Sequence, residues 1–79
     1  MPEQYRMNKE QYLEFIEKNN LVAYNLRDAP LCCWGLKLNV KGETIKVAHV
    51  HEDGYKGIIV TILKPKYVKH MPEGAERWG

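Results

Sequence analysis

Between Leu31 and Leu63 the chain reads as three strands joined by two tight turns, and this stretch limits the possible folds more than any other. The first turn falls at Lys41-Gly42 and the second at Asp53-Gly54. Asp-Gly suits a two-residue hairpin turn because both central positions of that turn need positive φ. If Val40 faces Glu43, then Leu38 faces Ile45, Leu36 faces Val47 and Trp34 faces His49. If Glu52 faces Tyr55, then His49 faces Ile58, Val47 faces Val60 and Ile45 faces Ile62. The two registers agree on one apolar face: Cys32, Trp34, Leu36, Leu38, Val40, Ile45, Val47, Ile58, Val60 and Ile62. A one-residue slip would turn half of these side chains into water.

The remaining segments are arranged around that sheet. Residues 1–7 are polar and read as a flexible arm. A helix is expected over 8–20. Asn8 serves as N-cap and Gln11 as its capping-box partner, and Tyr12, Leu13, Phe15 and Ile16 form an apolar side. Asn19-Asn20 is a left-handed stop. Leu21 to Leu26 alternates as a first strand, so residues 21–63 form the sheet, and Arg27 to Pro30 is a loop. Residues 64–79 read as a basic C-terminal tail that docks through Tyr67, Val68 and Trp78. The expected fold is a single small α+β domain. An N-terminal helix packs on one face of a mainly antiparallel β-meander of three to four strands, making a two-layer sandwich.

At 79 residues, 44% of them hydrophobic and 28% charged, this is one globular domain near the lower size limit for an independent core. No apolar run approaches the roughly 18–20 residues of a membrane span, and the first residues have no apolar stretch like a secretory signal. Cys32 and Cys33 are adjacent, a strained pairing for a disulfide, which points to a reduced, cytoplasmic protein. There is no phosphate-binding glycine loop and no serine-nucleophile elbow, so no cofactor is implied.

The second sheet face carries the functional candidates. It is expected to hold Cys33, Gly35, Lys37 and Asn39, then Thr44, Lys46, Ala48 and Val50, then Gly57, Ile59, Thr61 and Leu63. Lys37 falls opposite Lys46 with Thr61 in the same row, and facing like charges destabilise a sheet unless an anion lies between them. With Lys41, Lys64, Lys66 and Lys69 around the sheet end, the face could follow a phosphate backbone. The structural alternative is a solvated face whose lysines serve solubility alone.

His49 and His51 share a face. With Cys32 they suggest a zinc site, but the spacing matches no standard finger and a fourth ligand is missing, so no metal is assigned. With Lys56 or Tyr55 they suggest a metal-independent ribonuclease, the one catalytic reading this sequence allows. The order of elements is similar to that of several small nucleic-acid-binding domains, without a family motif. The expectation is therefore a non-enzymatic binding module that contacts nucleic acid through its lysine face. The alternative is a small protein-interaction or inhibitor protein of the phage or mobile-element type, whose edge strand could also form a homodimer.

Overall fold

The computed structural model describes residues 3–78. The elements are strand β1 (Glu3–Met7), helix α1 (Lys9–Lys18), strands β2 (Val22–Asn25), β3 (Cys33–Val40), β4 (Glu43–Asp53) and β5 (Gly57–Ile62), a 3₁₀ turn at Pro65–Tyr67, and strand β6 (Glu76–Arg77). All strands join one antiparallel sheet in the order β2-β3-β4-β5-β1-β6. The fold class is α+β as expected, but among the described residues the sheet has six strands rather than three or four.

Two of the additional strands come from the chain's ends. The segment read as an arm, 1–7, contains β1 within its described residues. There Tyr5 pairs with Val60 and Met7 with Ile58, and Met7 is buried. Its five residues alternate: Glu3, Tyr5 and Met7 face one way, Gln4 and Arg6 the other. The C-terminal tail pairs through β6 with β1, and Trp78 donates its amide to Gln4 O (2.7 Å). Without these partners the amides and carbonyls along β5 would form an open edge.

The helix forms where expected. Asn8 Oδ1 accepts from the Gln11 amide and Gln11 Oε1 accepts from the Asn8 amide, both at 2.8 Å, which is the reciprocal capping box. Ten residues are too few for a helix that stands alone in water, so α1 depends on packing. Phe15 has no accessible surface, and its burial contributes about 1.5–3 kcal/mol. Tyr12 accepts a hydrogen bond from Trp34 Nε1 (2.8 Å), with the rings edge to face.

Asn20 supplies the left-handed residue that ends the helix, with φ 56°. Asn19 has a larger role. It is buried, donates through Nδ2 to Phe15 O and His70 O, and accepts at Oδ1 from the amides of Lys69 and His70. One amide side chain thus holds the returning chain against the helix end. Tyr67, Val68, Met71 and Ala75 then pack on the core, so residues 64–78 are part of the folded unit.

The hairpin at Lys41-Gly42 has the expected register, with positive φ at both residues (51° and 85°) and Lys37 opposite Lys46. Beyond this the register departs from expectation. Between Leu36 and Lys37 it shifts, so that Leu36 pairs with Ala48, Gly35 with His49, Trp34 with Val50 and Cys33 with His51. Val47 is the extra residue of a β-bulge, and its carbonyl accepts from both Leu63 N (2.7 Å) and Lys64 N (3.1 Å). The expected pairs Leu36–Val47 and Trp34–His49 are therefore absent. Val47, Ala48 and Val50 are all buried, whereas Ala48 and Val50 were expected on the open face.

The second turn also differs. Asp53 pairs with Gly57, leaving a three-residue loop, and the positive φ lies at Gly57 (90°) rather than at Asp53-Gly54. Asp53 Oδ1 accepts from the amides of Tyr55 (2.8 Å) and Lys56 (3.1 Å), closing the loop through its side chain. The expected pairs Glu52–Tyr55, His49–Ile58, Val47–Val60 and Ile45–Ile62 are replaced by Glu52–Ile58, His49–Thr61, Val50–Val60 and Ala48–Ile62.

Two predictions follow from these side-chain locks. Asn19→Ala leaves Lys69 N, His70 N and two carbonyls short of a partner. It should cost about 2–3 kcal/mol and lower the thermal midpoint by on the order of 10 °C, read by circular dichroism. The Asp53 carboxyl is held below its ordinary value by the Tyr55 amide first and the Lys56 amide second. Its stabilising charge is therefore fully present above the unfolded carboxyl value of about 4 and is lost as pH falls through the lowered folded value. Asp53→Asn keeps an acceptor but loses the charge, so urea unfolding of parent and variant should converge as pH falls through that window.

Candidate functional site

The bulge at Val47 decides what the open face carries. Beyond it the phase of β4 reverses, so His49 and His51 lie on the open face with Gly35 and Cys33, while Ala48 and Val50 turn to the helix. The expected register set His49 opposite Trp34 of the apolar face, but both histidines are exposed. The open face thus reads across the strands as Val22, Lys37 and Lys46, then Tyr24, Gly35, His49, Thr61 and Gln4, then Cys33, His51, Ile59 and Arg6.

Toward the β2 edge of this face lies Tyr24, a residue that strand alternation alone does not mark as part of a site. Tyr24 pairs with Gly35, and its ring crosses directly over that glycine, where any Cβ would overlap the ring. The Nζ atoms of Lys37 and Lys46 lie 5.6 and 5.7 Å from the ring centroid. Each such contact at an exposed site is worth about 0.5–1 kcal/mol, which offsets the repulsion between facing lysines. The Tyr24 hydroxyl is buried and, among the described residues, has no hydrogen-bond partner. A second aromatic sits toward the other edge: the Trp78 ring has the Arg6 guanidinium 5.3 Å and Lys56 Nζ 5.5 Å from its centroid.

The other expected contributors are distributed differently. Thr61 sits one row away from the lysine pair, opposite His49, and its Oγ1 accepts from Gln4 Nε2 (3.1 Å). Lys41 is in the β3–β4 turn. Lys64, Lys66 and Lys69 lie on the segment that returns on the helix side. Lys64 N bonds the bulge carbonyl, Lys66 lies over its neighbour Tyr67, and the Lys69 amide is held by Asn19. Lys37 and Lys46 are therefore the lysines that meet, and the lysine track does not continue across the face.

Acidic residues concentrate on the opposite side. Glu10, Glu14 and Glu17 are exposed on α1, and Glu14 Oε2 lies 2.7 Å from His70 Nε2. On the open face, Glu76 is bound to Arg6 (2.6 Å), and Asp53 is engaged by its own loop.

At one corner of the open face Cys33 Sγ lies 3.1 Å from His51 Nδ1, with Cys32 Sγ 3.8 Å from Cys33 Sγ and 3.9 Å from the same ring nitrogen. Cys32 was expected on the core face opposite His51. Instead Cys33 takes the cross-strand position, and Cys32 lies just before the strand, its carbonyl accepting from Glu52 N (2.8 Å). The Cys33 thiol is pushed above its ordinary value by lost hydration and by the neighbouring Cys32 thiol. A surface depression of about 550 Å³ lies elsewhere, between Arg6, Gln11, Lys56 and Glu76, and is lined by neither His49 nor His51.

One signal for this arrangement was present in the residues. Apolar positions run Ile45, Val47 and then Ala48, Val50, a change of phase at Val47-Ala48 that marks a bulge. Tyr24 carried no comparable mark, because its role depends on pairing with Gly35 on another strand. No helix among the described residues is long and apolar enough to cross a membrane. Comparison with protein-family models, curated proteins and solved structures finds no match to this chain.

The orphan hydroxyl gives a direct test of the Tyr24 geometry. Tyr24→Phe removes a buried, unpaired polar group and keeps the ring over Gly35. It should therefore raise stability by about 1 kcal/mol in denaturant unfolding, whereas an ordinary solvated tyrosine would show no gain.

Proposed function

We propose that this protein is a non-enzymatic binding module for single-stranded nucleic acid, with the open sheet face as its contact surface. The observation that carries this reading is the Tyr24 ring set between Lys37 and Lys46 on a face whose carboxylates are already engaged. Single strands are held by backbone cations combined with aromatic platforms on which bases stack. A phosphate that draws the two ammonium groups toward itself uncovers the Tyr24 ring for a base. Trp78, beside Arg6 and Lys56, offers a second platform of the same composition. His49 and Gln4 lie in the row between, within the path of a strand running from one ring to the other.

The net charge is only +2, and Lys9, Lys18, Lys64, Lys66 and Lys69 lie on the helix side with the glutamates of α1. The group of Lys37, Tyr24 and Lys46 therefore supports nucleic acid over a protein partner, and the overall charge does not. The runner-up reading, a protein-interaction or inhibitor role, rests on the β2 edge, where Val22 and Leu31 are exposed. A reducing, cytoplasmic setting belongs to the same proposal, since Cys32 and Cys33 are free thiols.

The test is fluorescence anisotropy with labelled single-stranded RNA and DNA at two salt concentrations. Affinity should fall with salt, and Lys37→Glu with Lys46→Glu should lower it by about tenfold or more. Tyr24→Ala should lower it by about 5- to 150-fold, the loss of one stacked base. Affinity indifferent to all three substitutions would refute the reading. RNA cleavage abolished by His49→Ala would replace it with the ribonuclease.

A further inference from the structure

Cys32, Cys33 and His51 form a side-chain cluster that the nucleic-acid reading does not use. Their ligand atoms lie within 4.8 Å of one another. We propose that Cys32 Sγ, Cys33 Sγ and His51 Nδ1 are a three-ligand site for Zn²⁺, with the fourth coordination position open to solvent.

The distances carry the argument. A tetrahedral zinc ion has Zn–S bonds of about 2.3 Å and Zn–N bonds of about 2.0–2.1 Å, which puts its ligand atoms about 3.5–3.8 Å apart. The three separations here are 3.8, 3.9 and 3.1 Å. An ion therefore needs only a few tenths of an ångström of adjustment, which side-chain rotation supplies.

The backbone holds this triangle from both strands. Cys33 and His51 are a cross-strand pair, so their Cα atoms are fixed by the ladder. Cys32 is tied on the other side by the Glu52 amide on its carbonyl, and the Cys33 amide closes a turn onto Pro30 O (3.0 Å). The pairing exists because of the Val47 bulge. In an unbulged sheet His51 would sit on the helix face, out of reach of Cys33. The site that the residues alone suggested, Cys32 with His49 and His51, is thus replaced by one in which Cys33 takes the place of His49.

The donor set also suits the ion. Two thiolates and a neutral imidazole match a borderline-soft d¹⁰ cation, and they balance its two positive charges without a carboxylate. Binding displaces one proton from each thiol to solvent and leaves the sulfur oxidation state unchanged. Cys32 and Cys33 are half-buried and His51 is exposed, so an ion can enter from solvent and keep a water in the remaining position. Three protein ligands and a water make an open zinc centre rather than a closed structural one.

The inference stands apart from the nucleic-acid reading and is tested without nucleic acid. The purified protein, kept reduced with a phosphine, is titrated with Zn²⁺ against a chromophoric chelator at neutral pH. One ion per chain is expected. Cys32→Ser, Cys33→Ser and His51→Ala should each weaken binding by at least about tenfold, while His49→Ala leaves it unchanged. Co²⁺ in place of zinc should show a thiolate-to-metal absorption band that both cysteine variants diminish. Far-UV circular dichroism and the unfolding midpoint of His51→Ala should match the parent, since that side chain is exposed. The proposal is overturned if the chelator retains all the zinc, if one ion binds two chains, or if His51→Ala binds as tightly as the parent.

Discussion

The Val47 carbonyl accepts the amides of both Leu63 and Lys64, and the assignment of both sheet faces depends on that junction. A bulge interrupts the ladder, and an unpaired carbonyl inside a small core would cost about 1–3 kcal/mol. Two donors at the end of β5 satisfy it. The bulge therefore sits where β5 leaves the sheet and the chain turns to the helix side. Upstream of it Ile45 packs inward with Leu38, while downstream Ala48 and Val50 do so instead. Every residue after Val47 in β4 lies on the face opposite to the one strict alternation would give it.

This reversal moves chemistry into solvent and apolar side chains into the core. His49 and His51 move to the open face, and Ala48 and Val50 fill the space beneath α1. The three-residue loop at 54–56 then shifts the β4–β5 pairing again. The two departures compensate, so Ile58, Val60 and Ile62 remain inward. Ile59 is also buried although it faces away from the helix, paired with His51 on one side and Arg6 on the other. The open face is thus partly covered at that end.

The termini show how a small domain completes its core. A ten-residue helix and a central hairpin bury little apolar surface, and chains of this length fold with a narrow margin. Here β1 and β6 extend the sheet, and the segment after Lys64 adds Tyr67, Val68, Met71 and Ala75 to the core. Asn19 joins that segment to the helix end through both atoms of its amide. A buried polar residue with every bond satisfied specifies one arrangement of the chain, because an alternative docking leaves it unpaired.

Local chemistry determined much of this protein from the residues alone. The Asn8–Gln11 capping box, the Lys41-Gly42 turn and the inward set Leu36, Ile58, Val60 and Ile62 follow from side-chain preferences and strand periodicity within a few residues. The facing of Lys37 and Lys46 also follows, since it lies between that turn and the bulge. Contacts between distant segments decided the rest. The strand character of Glu3–Met7 depends on β5 and β6, and the position of Tyr24 depends on a glycine of the neighbouring strand. The meeting of Cys33 with His51 depends on one extra residue, Val47, whose carbonyl is satisfied by amides sixteen and seventeen residues further along the chain. Periodicity describes a regular ladder, and a bulge becomes favourable only when the folded chain supplies partners for the groups it leaves unpaired.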